Sequence, residues 1–369
     1  MKLAIVCDDL IQYGGAEKVF EAVAEIFPEA PIYTSVASKK WLKKLKGRKV
    51  ITSFFQKFPF SVKLNRYYSP FFLHTLAFES FNFSEFDIVL SLSSRYAHHI
   101  VTKPQTKHIC YMHSPGRMFW ESHDYFENET YGILRPIKKL APWFLKYPLS
   151  FLRALDFNKA QKVDKFIANS EVTKARIRKY FNRESEIINP FANLDLFFQF
   201  QLKQGDYYLV LTRLSPWKRV DIAVEACSNL NLPLKIIGDG PDRRRLESMA
   251  GPSCEFLGYI DDEEKAEVIS NCRAVIITQK EDFGIVPLEA MACGKSVLAY
   301  KDGGSTETVL DGLTGRFFDE QTSESLEKVL KIFNERNYDS NECKNRAKEF
   351  SKEKFQEKLK NIIMYTTRI

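Results

Sequence analysis

The sequence lacks the cysteine and apolar patterns of secreted or membrane-spanning proteins. Its seven cysteines are an odd number and include no Cys-x-x-Cys pair. Several lie in apolar runs, so we expect reduced core residues of a cytosolic protein rather than a disulfide framework or a zinc site. No segment has eighteen consecutive apolar residues, and the first apolar run, residues 3–7, is too short for a signal peptide. We therefore predict no membrane-spanning helix and a cytoplasmic location.

Missing motifs narrow the chemistry further. No Asp-x-Asp occurs, so the sequence implies no catalytic metal, and neither glycine-rich turn has the Gly-x-Gly-x-x-Gly spacing of a dinucleotide site. The net charge of +7 would suit nucleic acid, an anionic membrane surface or phosphorylated substrates. Because no nucleic-acid-binding motif accompanies that charge, we expect no nucleic-acid partner.

The length and patterning of the chain predict two α/β domains. At 369 residues it is too long for one ordinary core. Short apolar, β-branched runs alternate with stretches of helical periodicity through both halves, which is typical of doubly wound parallel sheets. The first domain is predicted at 1–188, since the residue before Pro190 is pushed out of the helical conformation. The second domain is predicted at 200–350.

The stretch 278–315 is the most informative part of the chain. An apolar run at 274–277 predicts a buried strand, and Pro287 opens a short helix because its missing N–H costs nothing in the first turn. Gly294 is predicted to close that helix as a left-handed cap. A second strand and the loop 302–305 repeat the pattern. Both loops follow the carboxyl ends of parallel strands, where such sheets bind ligands and helix N-termini attract anions.

This stretch contains two notable carboxylates, Glu281 in the first loop and Glu289 in the helix, with seven residues between them. Carboxylates accept hydrogen bonds and sugar hydroxyls donate them, so the pair suits recognition of neutral hydroxyl groups. For either glutamate alone, a solvated side chain or a partner of the helix dipole is the simpler interpretation. The surrounding Phe-Gly, Pro-Leu-Glu-Ala and Gly-Gly elements favour the binding role.

Residues 281–297 closely resemble the E-x7-E segment of retaining glycosyltransferases of the GT-B fold, family 4; they read E-D-F-G-I-V-P-L-E-A-M-A-C-G-K-S-V. The resemblance implies an α/β fold of two doubly wound, Rossmann-like domains facing a central cleft, with the last helix, about 352–369, packing back on the first domain. It implies that Glu281 contacts the hydroxyls of the donor sugar and that Glu289 holds the nucleotide ribose. The other donor-binding residues expected in the segment are Phe283, Gly284, Ile285 and Val286.

Two cations, Arg213 and Lys218, stand at a predicted strand–loop–helix junction. A planar guanidinium and a point-charge ammonium beside a helix N-terminus suit a diphosphate, although a basic surface turn is the simpler alternative. The sequence R-L-S-P-W-K closely resembles the family's R-x4-K phosphate-binding segment. The resemblance therefore assigns both residues to neutralising the departing nucleoside diphosphate.

Three further glycine sites are expected near the donor. Gly14 and Gly15 separate the first strand from the first helix and let the backbone approach a phosphate, with a tight turn of positive φ as the open alternative. The resemblance places this loop opposite the donor diphosphate. Gly258, at the end of a predicted strand, is expected to lie beside the nucleobase. The pair at 303–304 is expected to complete the phosphate site.

His113 is the predicted active-site histidine. It follows a predicted strand, and Y-M-H-S-P-G-R-M-F-W resembles the H-x-P segment of mannosyltransferase-like enzymes of family 4, in which the histidine contacts the donor sugar. Arg117 and Trp120 are assigned to the acceptor. The remaining histidines are not predicted site residues, because they do not follow a predicted strand or do not lie in a recognised motif: His74, His98, His99, His108 and His123.

Two basic stretches bear on membrane contact. Residues 39–49 carry seven basic residues and no acid, which most simply predicts a solvated face. Residues 133–162 combine basic and aromatic side chains, which suits a membrane interface, while burial against the sheet competes with that reading. Pro142 and Pro148 are expected to break any long helix there. An anionic membrane surface at the inner face of the plasma membrane therefore stays open as a partner.

The resemblance implies transfer of a hexose from a nucleoside-diphosphate sugar with retention of configuration, through an oxocarbenium-like transition state and without a cofactor. The H-S-P-G-R segment favours mannose from GDP-mannose and leaves UDP-sugars open. The acceptor is expected to be a growing surface glycan on a lipid carrier. A sugar-nucleotide epimerase of the same fold and a non-catalytic nucleotide-sugar-binding partner are the alternatives.

Overall fold

The structure is a computed structural model that describes residues 1–63, 65, 73–121, 141–192, 194–200 and 205–366, with the backbone alone for 141–147. The chain divides into two compact units. The first unit comprises Met1–Glu127, Tyr131–Asn189 and Phe355–Ile369, and the second comprises Asn128–Thr130 and Pro190–Lys354.

A seven-stranded parallel sheet forms the centre of the first unit. Its strands are β1 (Leu3–Cys7), β2 (Ile32–Thr34), β3 (Val50–Thr52), β4 (Ile88–Ser93), β5 (Lys107–Met112), β6 (Lys165–Ala168) and β7 (Ser185–Ile187). They lie in the order β3-β2-β1-β4-β5-β6-β7. All five residues of β1 are buried, as expected for a strand covered on both faces.

Within the described residues, six α-helices of the first unit precede Pro190. They are α1 (Gly15–Ile26), α2 (Lys39–Lys44), α3 (Leu73–Glu79), α4 (Arg117–Trp120), α5 (Ala141–Ala160) and α6 (Glu171–Phe181). The helix α6 follows the local signals closely: Ser170 caps its first turn by accepting from Thr173 N, and Asn182 ends it in the left-handed conformation.

The second unit has a six-stranded parallel sheet. Its strands are β8 (Tyr208–Leu211), β9 (Leu234–Ile237), β10 (Cys254–Gly258), β11 (Val275–Ile277), β12 (Val297–Tyr300) and β13 (Gly315–Phe318), in the order β10-β9-β8-β11-β12-β13. The helices that follow are α7 (Asp195–Gln199), α8 (Val220–Asn229), α9 (Arg243–Met249), α10 (Asp262–Ser270), α11 (Val286–Ala292), α12 (Ser305–Thr308), α13 (Ser323–Ile332), α14 (Ser340–Lys348) and α15 (Lys352–Thr366).

Each sheet reverses its strand order once. In the first unit the reversal lies between β1 and β4, and in the second between β8 and β11. In open α/β sheets the loops at the carboxyl ends of these two strands diverge and leave a crevice, where ligands bind. The two reversals are called here the first and the second switch point.

From Phe355 onward, the C-terminal helix α15 belongs to the first unit. Gln356 donates from Nε2 to the carbonyl of Ala22 in α1 at 3.0 Å. The ring of Phe355 packs edge-on against Tyr111 of β5, with 5.8 Å between centroids. Leu359 and Phe355 are buried. The last helix therefore adds apolar cover to the first sheet, although it follows the second unit in the chain.

One helix prediction was wrong. Pro142 and Pro148 were expected to break any long helix, whereas α5 continues from Ala141 to Ala160 with Pro148 inside it. A proline removes one backbone hydrogen bond and crowds one carbonyl, which costs about 3 kcal/mol. Here the helix is held by burial of Leu149 and Leu152, which belong to the core of the first unit. Tertiary packing outweighs the local preference.

Smaller differences concern ends and surfaces. The short β7 covers Ser185–Ile187 and ends just before the predicted domain boundary at 188. In the basic run 39–49, most lysines are exposed as predicted, but Arg48 turns inward and donates to the carbonyls of Ala24 and Phe27. All seven cysteines are free, and all but the half-buried Cys254 are buried, which confirms their prediction as core residues.

Candidate functional site

The second switch point brings together the two loops that the sequence analysis singled out. The loop after β8 begins at Thr212 and enters a single 3-10 turn, Pro216–Lys218, before α8. The loop after β11 runs from Thr278 to the start of α11. Thr278 Oγ1 donates to the carbonyl of Lys218 at 2.9 Å, so the two loops are joined. Their strands, β8 and β11, are neighbours in the sheet.

Lys218 lies in the centre of this site. Its side chain is 11% exposed, and its ammonium pairs with Glu281 Oε1. The same ammonium lies 4.0 Å from the centroid of the Trp217 ring, which is a cation–π distance. The predicted phosphate-binding lysine and the predicted sugar-binding glutamate, 63 positions apart, therefore contact each other in the structure.

Glu281 is held by more than the lysine. Gln279 Nε2 donates to the same oxygen, Oε1, at 2.7 Å. The carbonyl of Glu281 accepts from the backbone N–H of Gly304 at 2.8 Å. Since Gln279 is itself buried, its amide fixes the direction in which the Glu281 carboxylate points. The carboxylate is 22% exposed, which leaves it accessible.

The glycine pair 303–304 is explained by close backbone packing. A Cβ on Gly303 would lie 2.6 Å from the carbonyl oxygen of Glu281, and one on Gly304 would lie 2.2 Å from Cα of Phe283. Gly303 also has a φ of +81°. The turn after β12 thus packs directly on the Glu281 loop, and any side chain there would displace the loop.

A second close packing supports the arginine. Arg213 lies in the loop after β8, which packs against the Gly-Asp-Gly-Pro turn after β9. A Cβ on Gly238 would lie 1.9 Å from the carbonyl oxygen of Thr212, and one on Gly240 would lie 2.1 Å from that of Leu214. Arg213 is exposed, and within the described residues no carboxylate pairs with it. The site therefore presents one buried cation, Lys218, and one exposed cation.

Glu289 lies in the first turn of α11 and is 7% exposed. Its Oε1 is 3.1 Å from the ammonium of Lys265 in α10. Gly284 adopts a φ of +86° just before this helix, which only glycine adopts readily. The predicted left-handed cap at Gly294 is confirmed by its φ of +75°.

The other donor-binding predictions fall on backbone or on partly covered side chains. Phe283 is 4% exposed and its ring packs on Phe350 at 5.6 Å, so only its backbone can face a ligand. Ile285 and Val286 pack partly on the same core. Gly258 ends β10 with a φ of +75°, and its carbonyl accepts from the N–H of Gly238 at 2.7 Å. Their contact with a nucleotide stays a prediction.

The glycine loop before α1, Gly14 and Gly15, differs from the loops of the second unit in backbone conformation and in charge. Gly14 is extended, with φ −156°, so the positive-φ turn considered from the sequence is not formed there. It precedes α1, which begins at Gly15. Glu17, in the first turn, is 7% exposed, and burial raises the pKa of its carboxyl group while the N–H of Gly14 lowers it. An anion at this helix end would meet an acidic side chain.

Asp8 occupies the first switch point. Its two carboxylate oxygens accept from the backbone N–H groups of Ser94, Arg95, Tyr96 and Ala97 at 2.5–3.0 Å. These four N–H groups follow β4, and Asp8 satisfies them within the fold. In the first unit the acid is therefore part of the fold.

His113 directly follows β5. Its backbone N–H donates to the carbonyl of Ser93 at 2.8 Å, and its carbonyl accepts from Thr173 Oγ1 at 3.1 Å. Its ring packs edge-on against Tyr111, with 5.2 Å between centroids. The half-buried ring is thus fixed at the carboxyl end of the sheet, while its contact with a sugar stays a prediction.

The predicted acceptor residues are engaged within the first unit. Arg117 Nε lies 3.2 Å from Glu121 Oε2. The indole N–H of Trp120 donates to Asp156 Oδ2 at 2.6 Å, and its ring stacks on Tyr180 at 4.9 Å. These contacts give Trp120 a packing role that the sequence motif did not indicate, and its contact with an acceptor stays a prediction.

Among the described residues, His98, His99 and Asp156 form a buried group close enough to share a metal ion. Hydrogen bonds account for most of its geometry. His99 Nε2 is 2.8 Å from Asp156 Oδ1, and the Nδ1 atoms of His98 and His99 contact Ser93 Oγ and Thr75 Oγ1 at 2.8 and 2.9 Å. Burial lowers the pKa of His99 to about 4. The group ties α5 to the segment after β4.

Sequence reasoning missed Gln279 and Lys265, which hold Glu281 and Glu289 in place, and Asp8, which binds the turn after β4. Gln279 stands two positions before Glu281, so its proximity was open to inference. No sequence signal pairs Lys265 with Glu289 across 24 positions, or Asp8 with a turn 86 to 89 positions away. These are contacts of the folded sheet.

Two family models match the chain in succession. The model described as "Glycosyltransferase Family 4" matches residues 13–196, and the model described as "Glycosyl transferases group 1" matches residues 194–350. The chain belongs to glycosyltransferase family 4. The two matches meet near the division between the two units, and the second contains every predicted site residue from Arg213 to Glu289.

The family 4 chain has relatives among curated proteins. It is 30% identical over 197 residues to an uncharacterized glycosyltransferase of Methanocaldococcus jannaschii, covering 51% of this chain and 55% of that one. It is 37% identical over 127 residues to a GDP-mannose-dependent alpha-(1-6)-phosphatidylinositol monomannoside mannosyltransferase of Mycolicibacterium smegmatis, covering 30% and 33%. The chain spans about half the length, or less, of the curated relatives it matches.

Solved structures of the same fold cover the whole chain. The Anabaena protein HepE, solved in complex with UDP, matches with a TM-score of 0.70 at 17% identity over 99% of this chain and all of that one. This likeness confirms the predicted GT-B fold. As for membrane spans, the described helices include none that combines the length and the apolar character needed to cross a bilayer.

Proposed function

We propose that this family 4 member is a retaining glycosyltransferase that moves a hexose from a nucleoside-diphosphate sugar to a glycan or lipid-linked acceptor. The observation that supports the proposal best is the contact between Lys218 and Glu281 at the second switch point. It brings together a cation suited to phosphate and an acid suited to sugar hydroxyls, at the crevice where such sheets bind ligands.

The chemistry assigned to each residue follows from its charge and surroundings. Arg213 and Lys218 would neutralise the diphosphate as it leaves, as preorganised cations do at developing charge. Glu281, whose direction is fixed by Gln279, would accept hydrogen bonds from the donor sugar. Glu289 would hold the ribose, and His113 keeps the role near the donor sugar that the motif implies. No covalent nucleophile and no cofactor are proposed.

The donor is proposed to be GDP-mannose. The H-S-P-G-R segment and the mannosyltransferase of M. smegmatis, whose name specifies GDP-mannose, support this choice. The UDP complex of HepE supports a UDP-sugar as the competing donor. The test below includes both.

The acceptor is proposed to be a glycan carried on a lipid, reached from the inner face of the membrane. Two surfaces of the first unit support this. Lys39, Lys40 and Lys43 are exposed on α2, and Phe151 and Phe157 are exposed on α5. Exposed cations and aromatic rings suit attachment to an anionic surface. Sedimentation with anionic and with neutral vesicles tests the attachment, and equal recovery with both would contradict it.

The function is tested by donor screening followed by product analysis. Thermal shift across GDP-, UDP- and dTDP-sugars identifies the donor, which is then incubated with the protein, with and without membrane extract as acceptor. We expect acceptor-dependent release of nucleoside diphosphate and an anomeric configuration in the product equal to that of the donor. An epimer formed from donor alone would identify an epimerase instead. Binding without any turnover would identify a non-catalytic partner.

A further inference from the structure

The ion pair between Lys265 and Glu289 is a feature of the second unit that no motif anticipates. We propose that Lys265 is a positioning residue that orients Glu289 and thereby sets a preference for ribose over deoxyribose in the bound nucleotide. The inference rests on the proposed function, in which Glu289 receives the ribose hydroxyls. It adds the residue that fixes the receiving group.

The contacts of Lys265 leave its ammonium little freedom. It lies 3.1 Å from Glu289 Oε1 and 2.7 Å from Asp262 Oδ1, and it is 5.0 Å from the centroid of the buried Phe197 ring. Only 14% of the lysine side chain is exposed. An ammonium bound on three sides fixes the position of the Glu289 oxygen that it contacts.

The burial of Glu289 explains why it needs a cation. Its side chain is 9% exposed, and a buried carboxylate is costly unless it is paired and hydrogen-bonded. Burial lowers the pKa of Lys265, but Glu289 and Asp262 outweigh that effect and raise it above its ordinary value, so the lysine stays charged. The N-terminal end of α11 favours the same carboxylate through its dipole.

A fixed carboxylate would discriminate between sugars. A site built to accept hydrogen bonds from a hydroxyl rejects the analogue without it, because its own buried group is left unpaired. That penalty requires a carboxylate that cannot swing to another partner. Loss of Lys265 removes the charged partner that fixes Glu289 Oε1, so the penalty for a missing hydroxyl should fall.

Lys235 provides a matched control. It pairs with a glutamate, Glu255, at 3.4 Å, and its ammonium lies 4.6 Å from the centroid of the Tyr207 ring. It thus has the same kind of partners as Lys265. It lies near the amino end of β9, away from the carboxyl ends of the strands that form the switch point.

The test compares nucleotides in calorimetry on the full chain. GDP, 2′-deoxy-GDP and 3′-deoxy-GDP, with the corresponding UDP series, are titrated into the unsubstituted protein and into Lys265→Met, Lys265→Gln and Lys235→Met. We expect the unsubstituted protein to bind at least one deoxy analogue about tenfold or more weakly than the ribonucleotide. Both Lys265 variants should lose most of that ratio, and Lys235→Met should keep it. The two Lys265 variants differ in polarity, so failure of one to fold leaves the other.

Each other outcome overturns the inference at a different level. If the unsubstituted protein binds neither nucleotide series, the proposed function fails and the inference fails with it. If it binds nucleotide without discriminating against either analogue, or if the Lys265 variants weaken ribose and deoxyribose forms equally, the proposed function stands. In both of those cases Lys265 does not position Glu289 for the ribose.

Discussion

The two switch points have the same strand topology, but the carboxylate at each has a different kind of partner. At the first switch point, the Asp8 carboxylate accepts hydrogen bonds from four backbone N–H groups of the segment after β4. In the second, the Glu281 carboxylate reaches across to a lysine and stays partly exposed. A carboxylate that completes the backbone is a part of the fold, whereas one that pairs with a movable side chain can exchange that partner for a ligand.

The charged residues beside the two switch points also differ. Beside the first, Asp9 pairs with Arg95, and Glu17 lies at the start of α1. Beside the second are Lys218 and the exposed Arg213. On these charges we expect the diphosphate at the second switch point, while the role of Gly14 and Gly15 in phosphate binding stays a prediction. The two acids should respond differently to substitution. Of the four predictions that follow, the first two test this difference, and the other two concern the cation of the second point and the histidines of the first unit.

The largest effect is expected for Glu281→Ala. Removing a preorganised group that contacts the reacting sugar should lower kcat by about a hundredfold to a thousandfold, judged from losses at other preorganised groups. The free energy of unfolding should also fall, because the buried ammonium of Lys218 loses its charged partner. Glu281→Gln keeps an acceptor for Lys218, so it should lower kcat with little change in stability. Steady-state kinetics with the donor from the screen and urea unfolding measure the two effects. Glu263→Ala, at an exposed acid of the same unit, is the control.

Asp8→Ala should show the reverse pattern. Four N–H groups lose their acceptor, and we expect the free energy of unfolding to fall by about 2–4 kcal/mol. Asp8→Asn should recover part of it, since an amide oxygen still accepts. Urea unfolding of both variants measures the effect. An Asp8→Ala protein of unchanged stability would show that this acid is not structural and would break the comparison.

Lys218→Ala should weaken binding of the nucleoside diphosphate by about 1.5–3 kcal/mol, the range for hydrogen bonds to charged groups. Calorimetry with GDP and UDP measures it, and Lys235→Ala controls for loss of one positive charge. Unchanged nucleotide affinity in Lys218→Ala would show that the diphosphate does not bind at Lys218.

The smallest effect concerns pH. All six histidines lie outside 190–354, so histidine titration acts on the first unit alone. Burial lowers the pKa of His108 to about 3 and that of His74 to about 4. Both stay neutral in the folded chain while the unfolded chain takes up protons below about pH 6.5, so stability should fall as the pH falls below that value.

For His108 alone, the loss between pH 7 and pH 5 should be about 1–2 kcal/mol. His108→Gln should reduce the pH dependence of the free energy of unfolding by that amount. Hydrogen exchange, corrected for intrinsic rates, should show protection falling in β4 and β5 before β8 and β11. Equal sensitivity of both sheets would contradict the assignment to histidine.

Local signals predicted much of the fold. The apolar run at 274–277 predicted β11, and Pro287 and Gly294 predicted the start and end of α11; the structure has all three features. The helix through Pro148 could not be read in this way, because the burial that holds it depends on the rest of the core.

The candidate site, too, was predictable from local signals only in part. The order strand, loop, proline and glycine cap predicted the surroundings of Glu281 and Glu289. It could not supply their partners, because Lys218 and Lys265 come to them only through the pairing of β8 with β11 and the packing of α10 on α11. Residue types were thus predictable from the sequence, and the contacts that orient them required the fold.

The contact between Lys218 and Glu281 also has a consequence for the order of events. Before a donor arrives, the cation and the acid satisfy each other, so neither is available at full strength. Under the proposed function, a diphosphate that attracts the ammonium would release Glu281 Oε1, and both carboxylate oxygens could then accept from the sugar. Free sugar, which has no anionic tail, would leave the ion pair intact. Under the proposed function the contact would therefore favour an activated hexose by the order of binding rather than by shape.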